Sequence, residues 1–239
     1  MLGRGSHGVV GIGPDRDLVV AQLTADGLGD VRALSTGPVR SAAMSLDGTV
    51  VAWVDQDRGY HEHGTTDGAW SWEAASQGGF VGTLLAVDGG DQVVRRDGRV
   101  VLERPRSGHA PSLLAPVTAE ARGQLAGGVA AVAGPDHVAL YAPDSDVWPR
   151  QVPARAGALS PTGAQWAGGD TVVATSTGAA EVLDGDLGGV PVAAWWSSAQ
   201  DYWALTAVGG ARSLWSCSLI DHACVQRYVD RTGTLALPG

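Results

Sequence analysis

Pro191-Val192-Ala193-Ala194-Trp195-Trp196, Tyr202-Trp203-Ala204-Leu205-Thr206-Ala207-Val208, Arg212-Ser213-Leu214-Trp215-Ser216-Cys217-Ser218 and Cys224-Val225-Gln226-Arg227-Tyr228-Val229 are four runs of β-forming residues in one continuous stretch. Ser197-Ser198-Ala199-Gln200 parts the first from the second, Gly209-Gly210 the second from the third, and a polar centre between the cysteines the third from the fourth. Short polar and Gly-rich breaks of this kind turn a chain back on itself between adjacent antiparallel strands. Residues 190–231 are therefore expected to form a four-stranded antiparallel sheet.

The middle turn of that unit recurs along the chain. Gly13-Pro14-Asp15-Arg16, Asp55-Gln56-Asp57-Arg58, Arg96-Asp97-Gly98-Arg99, Gly134-Pro135-Asp136-His137, Gly168-Gly169-Asp170 and Gly209-Gly210-Ala211 each separate two runs of small β-formers. The first and fourth look like copies, with Val9-Val10-Gly11-Ile12 and Val129-Ala130-Ala131-Val132 before the turn. Their mean spacing is about 39 residues, a period that belongs to repeat architectures. Helical solenoids share it, but they need long segments of 3.6-residue periodicity, and Gly, Val and Thr dominate here instead. Four antiparallel strands per repeat make a β-propeller blade.

The predicted fold is all-β: a single six-bladed β-propeller spanning 1–239. Its approximate blades are 7–36 plus 232–237, 37–76, 77–116, 117–154, 155–189 and 190–231. The first block holds only three strands, near 8–12, 17–23 and 30–35, so the tail from Thr232 is expected to supply the fourth and close the ring, removing open edges. A five-bladed ring is the alternative.

Met44-Ser45-Leu46-Asp47-Gly48-Thr49-Val50 and Ala158-Leu159-Ser160-Pro161-Thr162-Gly163 carry a family resemblance. Each resembles the Ser-Pro-Asp-Gly turn of TolB-like and related WD40-like bacterial propellers, with Leu46 in place of the Pro and Thr162 in place of the Asp. The Trp-Asp dipeptide of true WD40 repeats is absent, and Gly-His occurs once, at Gly108-His109. The resemblance implies a binding scaffold, often exported, without chemistry of its own.

Composition excludes several functions. The 16 basic residues are all Arg, against 25 acidic ones, for a net charge of −9. That balance opposes nucleic acid and anionic lipid as partners, since both are polyanions that demand clustered cations. The absence of Lys rules out a pyridoxal phosphate Schiff base, a Walker Lys and a Ser-x-x-Lys acyl-transfer site. There is no run of about 18 apolar residues to span a membrane as a helix. Gly3-Arg4-Gly5-Ser6-His7-Gly8 spells a dinucleotide fingerprint, but it runs into a strand rather than opening a helix.

Cys217 and Cys224 are the only cysteines. Lying opposite each other across a predicted hairpin, they are placed to form a disulfide. A buried pair of free thiols is the alternative; zinc is disfavoured, because Cys-x6-Cys has only His222 nearby. Disulfides persist outside the reducing cytosol, so the expectation is an exported or envelope-associated domain whose targeting or anchoring segment lies upstream of Met1 or was removed, the alternative being cytoplasmic.

For binding, the turns between second and third strands should gather at one end of the propeller. They would present Asp15, Arg16, Asp57, Arg58, Arg96, Asp97, Asp136 and His137 to a protein partner or to a polar or carbohydrate ligand. His61-Glu62-His63, beside Asp55, Asp57 and Asp67, places two imidazoles on one strand face, as a metal would require. Nine Trp residues suit sugar stacking, although Trp53, Trp166, Trp203 and Trp215 lie inside strands, where large rings pack between blades. No cofactor, metal or catalytic set is assigned. There is no G-x-S-x-G or H-E-x-x-H, and the competing function is a carbohydrate-active propeller enzyme with a carboxylate pair at the channel mouth. The chain is read as a monomer that binds rather than catalyses.

Overall fold

The structure, a computed structural model, describes residues 3–235 apart from 6–7, 25–26, 36, 67–68, 71–74, 78, 105–108, 117–121, 135–136, 143–149 and 153–155. Among the described residues there is no helix, so none is long and apolar enough to cross a membrane. The strands form six antiparallel sheets that follow one another in chain order. The first comprises Gly3–Gly5, Gly8–Ile12, Leu18–Thr24 and Gly27–Ala33. In the second, Val39–Met44, Val50–Asp55, Tyr60–Thr66 and Ala69–Trp70 pair in sequence, and Ala75–Gln77 also pairs with Tyr60–Thr66. The third runs Thr83–Asp88, Asp91–Arg96, Arg99–Arg104 and His109–Pro116. Arg122–Ala126, Val129–Ala133, Val138–Tyr141 and Arg150–Val152 make the fourth. The fifth is Ala158–Leu159, Gln165–Gly168, Thr171–Ala174 and Ala180–Val182; the sixth is Val190–Trp196, Asp201–Val208, Ala211–Ser218 and Ala223–Asp230.

The first sheet differs from the expected one. Its fourth strand is Gly3–Gly5, paired with Gly8–Ile12, rather than the tail. Thr232–Leu235, expected in that position, forms no strand, and residues 236–239 lie outside the described ones. Alternating Thr and Leu gave the tail a strand-like pattern, but Asp230 gathers its amides into a turn instead.

The chain divides into two compact units, residues 1–119 with 123–125, and residues 120–122 with 126–239. In the first unit, Val50–Asp55 shows why the sequence is so apolar. Val51, Ala52, Trp53 and Val54 are all buried. Side chains alternate along a strand, so a continuous buried run needs a covered surface on each side of its sheet. Val51 and Trp53 pack with Val10, Leu18, Val20 and Leu34 of the first sheet and its following connector. Ala52 and Val54 pack the other way, with Leu84, Val87 and Val94 of the third. The second sheet is thus sandwiched between its neighbours.

The second unit repeats the principle with larger side chains. Ala158, Ala167 and Val172 of the fifth sheet share a core with Trp196, Tyr202 and Ala204 of the sixth. Polar tips of the big rings are satisfied by backbone: Trp196 Nε1 donates to the Ala158 carbonyl at 2.9 Å, and the Tyr202 hydroxyl to that of Gly169 at 2.9 Å. Burial first, and then the charge of Asp170, push the Tyr202 phenol far above its ordinary pKa. Cys217 and Cys224 are a cross-strand pair joined by a disulfide. The hairpin they close also holds the segment after the fifth sheet, because Asp184 N–H donates to the His222 carbonyl and Cys224 N–H to that of Asp184, each at 2.7 Å.

The two Ser-containing turns are structural copies. Ser45 N–H donates to the Val50 carbonyl and Gly48 N–H to that of Ser45; Ser160, Gln165 and Gly163 repeat both bonds. The Ser45 hydroxyl accepts from the N–H of Thr49 and Val50, and the Ser160 hydroxyl from that of Gln165. Asp47 is further held by Ser45 Oγ and by Thr49, bonds that outweigh the upward push of burial and keep its carboxyl below the usual range.

Candidate functional site

Each turn between second and third strands must reverse the chain in a few residues, which forces some backbone into the left-handed region. Arg16, Arg58 and Asp97 take that conformation, with φ of 63°, 67° and 51°. Their side chains are exposed, as are those of Asp15 and Asp57. His137 is half-buried, and Asp136 lies outside the described residues. These turns also receive the chain as it enters the next sheet. Val39 N–H donates to the Arg16 carbonyl at 2.8 Å, and Phe80 N–H to the Arg58 carbonyl at 2.9 Å. Within the first unit, turn and incoming connector therefore share one end of the sheets.

Arg96, at the start of its turn, is half-buried. Its guanidinium donates to Glu103 Oε1 at 2.7 Å and to the Val81 carbonyl at 2.9 Å, tying its charge to its own sheet. Asp15, Arg16, Asp57, Arg58 and Asp97 remain as exposed polar groups on the described turns.

At this end of the second sheet the first unit holds a cavity of about 440 Å³. Leu34, Ser35 and Pro38, on the connector that leaves the first sheet, form one side of it. Trp53, His61 and His63, on the two middle strands of the second sheet, form the other. Asp55 and Asp57 stand where those strands turn. The register explains the assembly: Trp53 lies directly opposite His61, and Val51 opposite His63, so residues 51, 53, 61 and 63 share the face toward the first sheet. Trp53 and His61 stack with centroids 5.1 Å apart and planes 15° from parallel; His63 lies 5.0 Å from the same indole, tilted by 31°.

His61 Nε2 donates to Asp55 Oδ2 at 2.8 Å, and Gly59 N–H to Asp55 Oδ1 at 2.7 Å. The His61 bond, foremost, and that of Gly59 hold the Asp55 carboxyl below its ordinary value, so it is an anion at neutral pH. Ser35 is fully engaged elsewhere: its hydroxyl accepts from Leu18 N–H at 2.8 Å and donates to the Gly37 carbonyl at 2.7 Å. Ser35, the serine of the cavity lining, is therefore not paired with His61.

The two imidazoles do share a face, as the metal reading required, but both lie against the Trp53 indole, and His61 is committed to Asp55. Among the described residues no group of three or more His, Cys, Asp or Glu could hold a metal ion, and Asp67 lies outside them. Of the seven described turn residues singled out by sequence, Asp57 alone lines the cavity. Trp53 was expected as core and is nearly that, at 4% exposure. Leu34, Ser35 and Pro38 were not foreseen; the only signal was that a connector must cross the same end as the turn it follows.

No family model matches the chain, and no curated protein does. Solved structures do. The chain superposes over 97% of its length on 78% of a chain in the crystal structure of a mitotic checkpoint complex, with a TM-score of 0.61 and 17% identity. It also superposes over 97% of its length on 85% of Kluyveromyces lactis Hsv2, with a TM-score of 0.50 and 12% identity. Both are WD40-type propeller proteins, and at these identities the likeness is one of fold.

Proposed function

We propose that this chain is a non-catalytic protein-interaction scaffold, built as one six-bladed propeller over residues 1–239. The observation that carries the reading is the common end shared by strand-two-to-three turns and incoming connectors, with polar side chains exposed on apolar, fully packed sheets. A propeller offers such an end as a rigid platform, because each sheet supports its neighbours and only the turns are free to vary. Similarity to a chain found in a complex supports a protein as the partner class. Asp15, Arg16, Asp57, Arg58, Asp97, Asp136 and His137 are the proposed contact residues, with Arg96 bracing the third sheet beneath them. The Cys217–Cys224 disulfide supports an oxidising, extracytoplasmic location.

Affinity capture from the producing cell tests the platform when three forms are compared: wild type, Asp57→Arg with Asp97→Arg, and Asp221→Arg on the turn between third and fourth strands of the last sheet. Proteins retained by wild type and by Asp221→Arg, and lost by the double variant, are the expected result. Equal retention by all three would overturn the assignment of this end.

A further inference from the structure

The cavity of the second sheet is sized and lined for a ligand group that the scaffold reading does not specify. Its volume of about 440 Å³ falls in the range of small-molecule sites. Two carboxylates, Asp55 and Asp57, line it, and no Arg does. Arg32, Arg40 and Arg58 are the nearest cations along the chain, and none belongs to the lining. One side is aromatic, from Trp53, His61 and His63; the other is apolar, from Leu34 and Pro38.

Each class of ligand meets that lining differently. Phosphate or carboxylate would face two negative groups with no guanidinium or ammonium to answer it. A neutral ring could use the aromatic wall but would leave the carboxylates unused. A cation on an apolar stem uses everything: the stem lies along Leu34 and Pro38, the charge meets the aromatic wall, and the carboxylates close over it. The Asp55 carboxylate is already fixed by His61 and Gly59, so it is pre-oriented as an acceptor, while Asp57 is exposed and free to turn toward an incoming donor.

We infer that this cavity receives a cationic side chain, arginine in preference to lysine, from a partner polypeptide. Arginine is favoured because its planar guanidinium can lie against the part-exposed His61 imidazole, which the buried Trp53 indole backs, and offers forked donors to paired carboxylates, whereas an ammonium is a compact, strongly hydrated point charge. The inference deepens the scaffold reading by naming the group that anchors the partner, and it rests on that reading only for the source of the arginine.

The test is a titration of the intact chain, followed by NMR of the indole and imidazole signals, with N-acetyl-arginine methylamide, its citrulline counterpart, free arginine and a short arginine-containing peptide. The arginine derivative is expected to bind saturably and the uncharged citrulline one not. Asp57→Asn, at an exposed turn position that leaves the core intact, should weaken the arginine derivative by about tenfold. Asp221→Arg should leave it unchanged. A peptide that binds more tightly than free arginine supports a polypeptide source; the reverse order overturns that source in favour of a small amine. Equal binding of arginine and citrulline derivatives, or no effect of Asp57→Asn, would overturn the cationic site. Because these probes need no partner, failure here is distinct from failure of the capture experiment.

Discussion

Asp230 holds the described end of the chain by its carboxylate. It accepts hydrogen bonds from the N–H groups of Thr232, Thr234 and Leu235 at 2.8, 2.7 and 2.7 Å, and from the Thr232 hydroxyl at 2.5 Å. The Thr232 hydroxyl, foremost, and then these amides place its pKa far below the ordinary 3.8. A carboxyl whose pKa is depressed by folding contributes stability that is present above its unfolded pKa and lost as the pH falls through the folded one. Protection factors at Thr234 and Leu235, from amide hydrogen exchange referred to the intrinsic rate at each pH, should therefore be high at neutral pH and decline progressively as the pH falls below about 4 toward the folded pKa; Asp230→Asn should lower them at all pH values. Ser45 and Ser160 act in the same manner from the interior. Ser45→Ala should cost about 1–3 kcal/mol in urea unfolding, because the Thr49 and Val50 amides lose a buried acceptor. The Ser turns were legible in sequence because every partner lies within five residues. Asp230 was not: the Thr-x-Thr-Leu spacing behind it imitates a strand, and only an acceptor placed before it reveals a turn.

At the scale of elements, the last sheet was readable from end to end, since Ser197-Ser198-Ala199-Gln200, the Gly209-Gly210 pair and the cysteine spacing fix its three reversals. The Cys217–Cys224 disulfide spans seven residues. Replacing both cysteines by Ala should lower stability by about 2–3 kcal/mol, the loop-closure entropy of so short a ring, with urea unfolding as the measurement. Exchange should rise first at Asp184 and Cys224, whose amides bond across to the neighbouring segment. A different constraint binds the fourth sheet to the fifth. Gly127 and Gly163 both have positive φ, and a methyl group on either would lie 2.0 Å from a carbonyl oxygen of the facing turn, that of Thr162 or Ala126. Gly127→Ala should cost more than about 1 kcal/mol for this reason, measurable as a lowered midpoint in the same unfolding experiment. Sequence could show that Gly127 lies in a turn, but not that another backbone passes against it. The cavity was hidden likewise. Its residues come from a connector and a hairpin of different sheets, and periodicity speaks only of the faces within one.

Over the whole molecule, six sheets in chain order and the likeness to WD40-type propellers across 97% of the chain agree with the 39-residue period that sequence displays. The period was legible because each repeat needs a polar turn at the same place; the first strand of the first sheet was not, because Gly3–Gly5 carries too little side chain to announce a strand. The scaffold reading depends on the six sheets forming one ring, since a platform of turns exists only if the sheets share an axis. Small-angle X-ray scattering of the chain in solution measures this directly. A single compact propeller of 239 residues predicts a radius of gyration of about 18 Å and a distance distribution with one maximum. A radius beyond about 22 Å, with a second maximum from two separated units, would contradict it.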